Sequence, residues 1–400
     1  MEAVLDRIPA DLIQRPDPHQ WFDQVRKVGQ VCRIEDMNGQ RAWLIIGHAG
    51  AREALASKVL SSDASRVATA PEAVNDRVCR RSFSASLFAT DPPAHTRLRR
   101  AVTASFAPQF LRTFHPIIEK SATQLMEQIQ GRNEIDLVAD FAAPFATMNI
   151  CAFLGIPLTD HRAVLDWSRQ LLTTPIDEAS VRISRTAGEE LDHYLTELFH
   201  GNRRPTAGLI GRWLADESPE RLTEDELRST TTFMIVAGHQ TSIGLQSACM
   251  LHLLCNPERY RALRADPRLL SSAVEEIIRF DGPTVLLLRR FALTDTQFDG
   301  VPIPKGGQVI VSTGAANRDP AVFTRPGEIV IDRAPNPHLG FGYGVHYCPG
   351  VGLAVDEACT ALSLLIESVP GFRLAVPRDH LSWQPLKIRC LSELPVHLAA

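Results

Sequence analysis

Residues 341–350 read Phe341-Gly342-Tyr343-Gly344-Val345-His346-Tyr347-Cys348-Pro349-Gly350, a glycine-dense loop that brings one cysteine to the threshold of a helix. Glycines at 340, 342, 344 and 350 permit tight backbone conformations and the close approach of a bulky planar partner. Unpaired N–H groups and the positive end of the helix dipole favour a thiolate at Cys348 over a thiol. A cysteine beside a turn is more often a small buried hydrophobe, so the neighbours carry the argument. A nucleotide loop does not fit: Gly340-x-Gly342-x-Gly344 lacks the dinucleotide spacing and follows Asn336-Pro337-His338-Leu339 rather than a hydrophobic strand. The chain contains no Walker loop, no Gly-x-Ser-x-Gly and no His-Glu-x-x-His.

Around this loop lie 400 residues, 44% apolar and 22% charged, enough chain for a large core. With 42 basic against 46 acidic side chains and a formal charge of -4, there is no electrostatic footprint for nucleic acid or an anionic membrane. The eight cysteines (32, 79, 151, 249, 255, 348, 359 and 390) are scattered without zinc spacing and read as cytosolic thiols. The N-terminus lacks a basic-then-apolar leader and no run of about eighteen apolar residues occurs. A soluble, cytoplasmic protein folded as one domain over 1–400 is expected.

Val31–Glu35 and Arg41–Ile46 flank Asn38-Gly39 and predict a hairpin. Residues 49–60 predict a helix, and 61–89 a long loop. From Ala94 to Phe199 the pattern is helical with breaks at Pro108, Pro144, Pro157 and Pro175. Thr223-x-x-Glu226 is a capping box opening a buried helix of about thirty residues, roughly 45 Å, that stops at Asn256-Pro257. Another helix starts at Asp266-Pro267 and stops at Asp281-Gly282-Pro283. Short strands are expected in 285–293, 298–313 and 385–394, with a last helix over 351–368. The fold class is mainly α with small β-sheets.

The loop 341–350 resembles the haem-ligand loop of the cytochromes P-450, with Cys348 as the proximal thiolate. Four further landmarks follow in family order: Asp91-Pro92-Pro93-Ala94-His95-Thr96-Arg97-Leu98-Arg99, Ala237-Gly238-His239-Gln240-Thr241, Glu276-x-x-Arg279, and Asn317-Arg318-Asp319-Pro320 with Arg333. The resemblance implies the cytochrome P-450 fold, haem b and dioxygen as cofactors, and Glu276, Arg279 and Arg333 as a buried structural network. It gives the haem propionates to His95, Arg99, Arg290 and His346, places Phe341, Gly342 and Gly350 beside the haem, and makes Ala237, Gly238, Gln240 and Thr241 the oxygen-activating groove. Arg289 is a rival for Arg290, disfavoured by the spacing to Ala292 and Asp295.

At position 240 the chain departs from the family pattern, in which a carboxylate precedes the groove threonine and helps deliver protons. A neutral amide cannot ionise, although it can hold water. Gly238 inside a helix costs about 1 kcal/mol relative to alanine, which suggests that space is needed there. Either hydroxylation persists with water-mediated proton delivery, or the chemistry is coupling, ring closure or desaturation. The implied substrate pocket is apolar, lined by Phe83, Ala85, Leu87, Phe233, Val236, Ala237, Leu286 and Leu287, and suits a hydrophobic small molecule of secondary metabolism. Electrons are expected from NAD(P)H through a ferredoxin reductase and an acidic ferredoxin docking near Arg97, Arg100 and Arg112. The rival function is a haem-binding sensor or carrier without turnover.

Overall fold

The capping box at Thr223 forms as its spacing requires: Thr223 Oγ1 accepts from the Glu226 N–H (3.3 Å) and Glu226 Oε2 accepts from the Thr223 N–H (2.9 Å). The helix so opened runs over Glu224–Cys249 and continues as a π-turn over Met250–Leu254, stopping before Asn256, whose side chain caps the next helix. In the computed structural model, which describes residues 4–37, 39–67, 83–174, 177–287 and 289–398, this is the central helix. It packs against Ala143–Leu154, His161–Leu172, Glu178–His200, Leu270–Asp281 and Val351–Ser368. One hydrophobic core runs through these helices, and two smaller ones flank the main sheet. Leu137–Leu154 is long and apolar enough to cross a membrane by composition, yet Phe141, Phe145, Phe153 and Leu154 are fully enclosed in the central core. Burial among other helices accounts for its hydropathy.

Six strands form the main sheet, in the order Val4–Arg7, Val31–Glu35, Arg41–Ile45, Gln308–Val311, Arg290–Ala292 and Leu60–Ser61. The expected hairpin pairs Val31 with Ile45 and Glu35 with Arg41, and Gly39 takes the positive φ of +76° its turn needs. Asn38 lies outside the described residues, as do Cys79, Pro175 and 68–82 of the expected loop. Phe372–Leu374, Pro395–Leu398 and Glu134–Asp136 make a second sheet, and Thr296–Phe298 with Val301–Ile303 a third.

Several boundaries differ from the sequence reading. The helix expected over 49–60 spans His48–Ala56, and Leu60 instead pairs with Ala292 at the sheet edge. Pro108 is the first residue of a helix that runs to Ile129 with Pro116 inside it. The 285–293 run contributes only Arg290–Ala292, and 385–394 forms isolated bridges at Leu386 and Leu391 rather than a strand.

Burial explains why 385–394 is apolar without being a strand. Arg389 donates to the carbonyls of Ile13 (2.9 Å), Arg15 (2.7 Å) and Pro16 (2.9 Å) and to Asp281 Oδ1 (2.5 Å). His252 Nε2 meets the other Asp281 oxygen at 2.8 Å. Burial opposes charge on Asp281, but Arg389 and His252 outweigh it and hold the carboxyl well below its usual range.

Candidate active site

The cysteine loop is held by its own backbone. Cys348 N–H donates to the Phe341 carbonyl (2.9 Å) and Gly342 N–H to the Leu339 carbonyl (2.9 Å). Gly342 and Gly344 have φ of +75° and +74°, and a Cβ on Gly344 would stand 2.7 Å from the Leu55 carbonyl oxygen. Gly350 serves a different purpose: it caps the helix Val351–Ser368, with open space kept between Phe106 and the Cys348 sulfur. Burial pushes the Cys348 thiol up, against the Gly350 N–H and Arg99, which pull it down. The helix start alone therefore does not make the thiolate expected from sequence; a bound metal cation would, because coordinating thiols are deprotonated outright.

Four expected side chains converge beside this loop. The His95 and His346 rings lie 4.4 Å apart, and Arg290 and Arg99 are close enough to depress both imidazoles. Burial is the largest cause at each, and His346 falls to about 3. Burial also lowers Arg290 to about 10. Arg289 pairs instead with Asp36 at 3.0 Å, which leaves the cluster to Arg290. Among the described residues, His95 Nε2, Arg99 Nη1 and His346 Nδ1 are buried without a hydrogen-bond partner. Such orphaned polar atoms are costly unless something anionic completes them. The sequence reading missed Ser62, whose Oγ lies 3.0 Å from His346 Nε2, and Asp91, which accepts from the Ser61 hydroxyl, the Ser62 N–H and Arg66.

On the central helix, every residue from Ser229 to Met250 is buried except Phe233, Ala237, Gly238 and Thr241. Their spacing puts them on one stripe of the helix. Among the described residues, this stripe is the part of the buried helix left uncovered. Thr241 Oγ1 donates to the Ala237 carbonyl at 2.5 Å, so its lone pairs remain free to accept. Gly238 meets two requirements, since its backbone is exposed while a Cβ would come 2.7 Å from Ile150 Cδ1. Helix packing at this position is thus met only by the movable tip of Ile150.

Gln240 lies off the stripe. Its Nε2 is 3.2 Å from His239 Nε2, and His239 Nδ1 is 2.6 Å from the Ile235 carbonyl. The carbonyl requires a proton on Nδ1, so Nε2 carries the lone pair that the amide donates to. Burial keeps His239 neutral, with its pKa lowered to about 4. Sequence reasoning also missed Glu357, fully enclosed on Val351–Ser368, which accepts from Ser242 Oγ at 3.0 Å. Burial pushes this carboxyl up to about 8, against Ser242 and Asn149. A signal existed: Leu353, Glu357, Ala361 and Leu365 share one buried face.

Of the expected pocket residues, Phe83, Leu87, Phe233 and Val236 belong to the central core, with the Phe83 and Phe233 rings 6.1 Å apart. Phe88, not expected, stacks on Phe233 at 5.0 Å. Val236 is buried off the stripe, and Ala85 is half-buried. Leu286 and Leu287 pack against the two sheet-side cores instead. Arg97 pairs with Glu226 and Arg100 with Glu220, whereas Arg112 is exposed on the helix packed against Val351–Ser368. Glu276 accepts from Arg279 Nε (2.7 Å) and Nη2 (2.8 Å) and from Arg333 Nε (2.9 Å), forming the expected buried network.

The donor set fits a haem: a thiol at a helix start for iron, orphaned donors for two carboxylates, and an open stripe against which a flat ring can lie. Comparison with known proteins agrees. The family described as Cytochrome P-450 matches residues 202–381. Cytochrome P-450 107B1 of Saccharopolyspora erythraea is 35% identical over 405 residues, covering 99% of each chain. Among solved structures, CxnD, the P-450 for C–S bond formation in chuangxinmycin biosynthesis, superposes with a TM-score of 0.86 at 33% identity, covering 99% of this chain and 97% of that one. SgvP, a putative thioether synthase in griseoviridin tailoring, gives 0.89 at 29%, covering 99% and 100%. With its cysteine loop, its orphaned donors and these likenesses over nearly its full length, the chain belongs to the cytochromes P-450, haem-thiolate oxidoreductases that use dioxygen.

Proposed function

We propose that this chain is a cytoplasmic monooxygenase of secondary metabolism that oxidises a hydrophobic small molecule and receives electrons from NAD(P)H through a ferredoxin reductase and a ferredoxin. The observation that carries the reading is the grouping of Cys348 with the unpartnered nitrogens of His95, Arg99 and His346, joined to the uncovered helix stripe through Arg290 over the Phe88 ring and Phe88 on Phe233. When bound, haem supplies the dioxygen chemistry, to which a thiolate ligand contributes electron density. Cys348 would hold the iron; His95, Arg99, Arg290 and His346 would bind the propionates; Phe341, Gly342 and Gly350 would line the ligand side.

Thr241 can accept a hydrogen bond from water at Oγ1, because its own hydrogen is committed to Ala237. Gln240 supplies no ionisable proton, and its amide is engaged by His239. Proton delivery through water at Thr241, or a reaction ending in coupling or ring closure, is consistent with that arrangement. The C–S bond chemistry named for two structural neighbours supports the second. The Phe88–Phe233 stack and Phe83 favour apolar substrates. Arg112 is the exposed candidate for an acidic ferredoxin, Arg97 and Arg100 being engaged on the chain itself.

Carbon monoxide added to the reduced protein reports thiolate ligation, and Cys348→Ala is expected to abolish that spectrum. NAD(P)H-dependent product formation with a ferredoxin and its reductase separates an enzyme from a haem-binding sensor or carrier. Comparing product per NAD(P)H in wild type and Gln240→Glu tests the role of the amide. Unchanged coupling in the variant removes position 240 from the chemistry, and a colourless wild-type protein after haem reconstitution removes the whole reading.

A further inference from the structure

Helix Leu270–Asp281 carries two acidic residues in succession, and they face different partners. Glu276 is committed to Arg279 and Arg333. Glu275 shares the neighbouring face with Ile278, three residues on, and both meet the segment leading into the cysteine loop. His338 Nε2 lies 2.5 Å from Glu275 Oε2, and Gly340 N–H donates to His338 Nδ1 over 3.2 Å. A ring nitrogen that accepts a backbone N–H carries its lone pair, so the imidazole proton sits on Nε2 and points at the carboxylate. Geometry alone sets the tautomer.

The same short segment is pinned twice more. A Cβ on Gly340 would overlap the Ile278 side chain, so only glycine fits there, and Leu339 N–H donates to Asn317 Oδ1 at 2.6 Å. From Leu339 the chain passes through Gly340 to Phe341, whose carbonyl receives the Cys348 N–H, and the Gly342 N–H turns back onto the Leu339 carbonyl. The His338 side chain is 6% exposed, while Glu275 reaches solvent with 34%. The carboxylate thus stays hydrated while its enclosed partner is held by both nitrogens.

We propose that Glu275 is a positioning residue for the iron ligand, acting through His338 to fix where the cysteine loop leaves the helix and so how Cys348 is presented. The inference rests on the reading of Cys348 as the haem ligand. Removing a partner from an enclosed imidazole leaves its polar atom unsatisfied and frees the ring to reorient. Such a change loosens the loop locally, without touching the central core.

Three variants of the reconstituted holoprotein test this. Glu275→Gln keeps an acceptor and removes the charge; Glu275→Leu removes both; His338→Asn can still receive the Gly340 N–H as an Asx turn but does not reach Glu275. The reduced, carbon monoxide-saturated proteins are held in urea below their unfolding midpoints, and loss of the thiolate-ligated Soret band is timed. Glu275→Leu and His338→Asn are expected to lose it about tenfold faster than wild type, as for one lost charge-assisted hydrogen bond. Glu275→Gln should stay within about twofold, since neutral hydrogen bonding suffices to hold the ring. The ferric/ferrous potential should shift in Glu275→Leu and His338→Asn and hold in Glu275→Gln. A wild-type rate in Glu275→Leu, no rescue by Gln, or band loss that merely follows global unfolding overturns the proposal. Absence of a thiolate band in wild type instead overturns the haem-ligand reading beneath it.

Discussion

The cysteine loop and the groove of the central helix are built by different means. In residues 340–350 the backbone does the positioning, through two positive-φ glycines, a glycine pressed onto Ile278, and N–H to carbonyl bonds that close on Phe341 and Leu339. In residues 237–242 the backbone is plain helix, and the environment comes from side chains on other segments: Ile150 under Gly238 and Glu357 behind Ser242. Substitutions should therefore act on the loop through strain and on the groove through burial and protonation.

The largest effect is expected from Glu357→Gln, read as stability against pH. The folded-state pKa near 8 lies above the ordinary 4.5, so the native state holds a proton the unfolded chain releases. Native stability is full below pH 4.5 and declines as pH rises towards 8, by about 1.4 kcal/mol per unit from this group. Urea midpoints measured from pH 5 to 8 should fall less steeply in the variant; parallel slopes would show that the carboxyl is not enclosed and neutral.

Gly344→Ala should come next, at about 2–3 kcal/mol, because the residue needs a left-handed backbone and a Cβ meets the Leu55 carbonyl. Chemical denaturation together with haem content measures it, and both should fall. Gln240→Leu should cost about 1–2 kcal/mol by leaving His239 Nε2 without a donor in the core. Nitrogen-15 shifts of His239 should report the lost bond in the diamagnetic carbon monoxide form. Gly238→Ala should change stability by less than about 1 kcal/mol, since helix propensity offsets the push on the flexible Ile150 tip. If Gly238→Ala destabilises as much as Gly344→Ala, the distinction between the two regions fails.

The same contrast explains what was legible in the sequence. Glycines, prolines and caps report local backbone needs, so the hairpin at Gly39, the capping box at Thr223, the last helix and the cysteine loop could all be read. Ser62 beside His346, Asn149 near Glu357 and Phe88 on Phe233 join residues distant in the chain, and no periodicity links them. Segment 385–394 was mistaken for a strand because alternation there reflects burial around Arg389, not a ladder. The helix start at Cys348 was visible in the sequence, whereas the desolvation that opposes a free thiolate there was not.

Arg389 acts as a buckle between the two ends of the polypeptide. Its guanidinium is the shared donor for three carbonyls near residue 13 and a carboxylate at residue 281. A chain shortened past that point would take the shared donor from all four acceptors, so trimming the tail should loosen the beginning of the protein, far away in sequence, before it disturbs the iron-binding end.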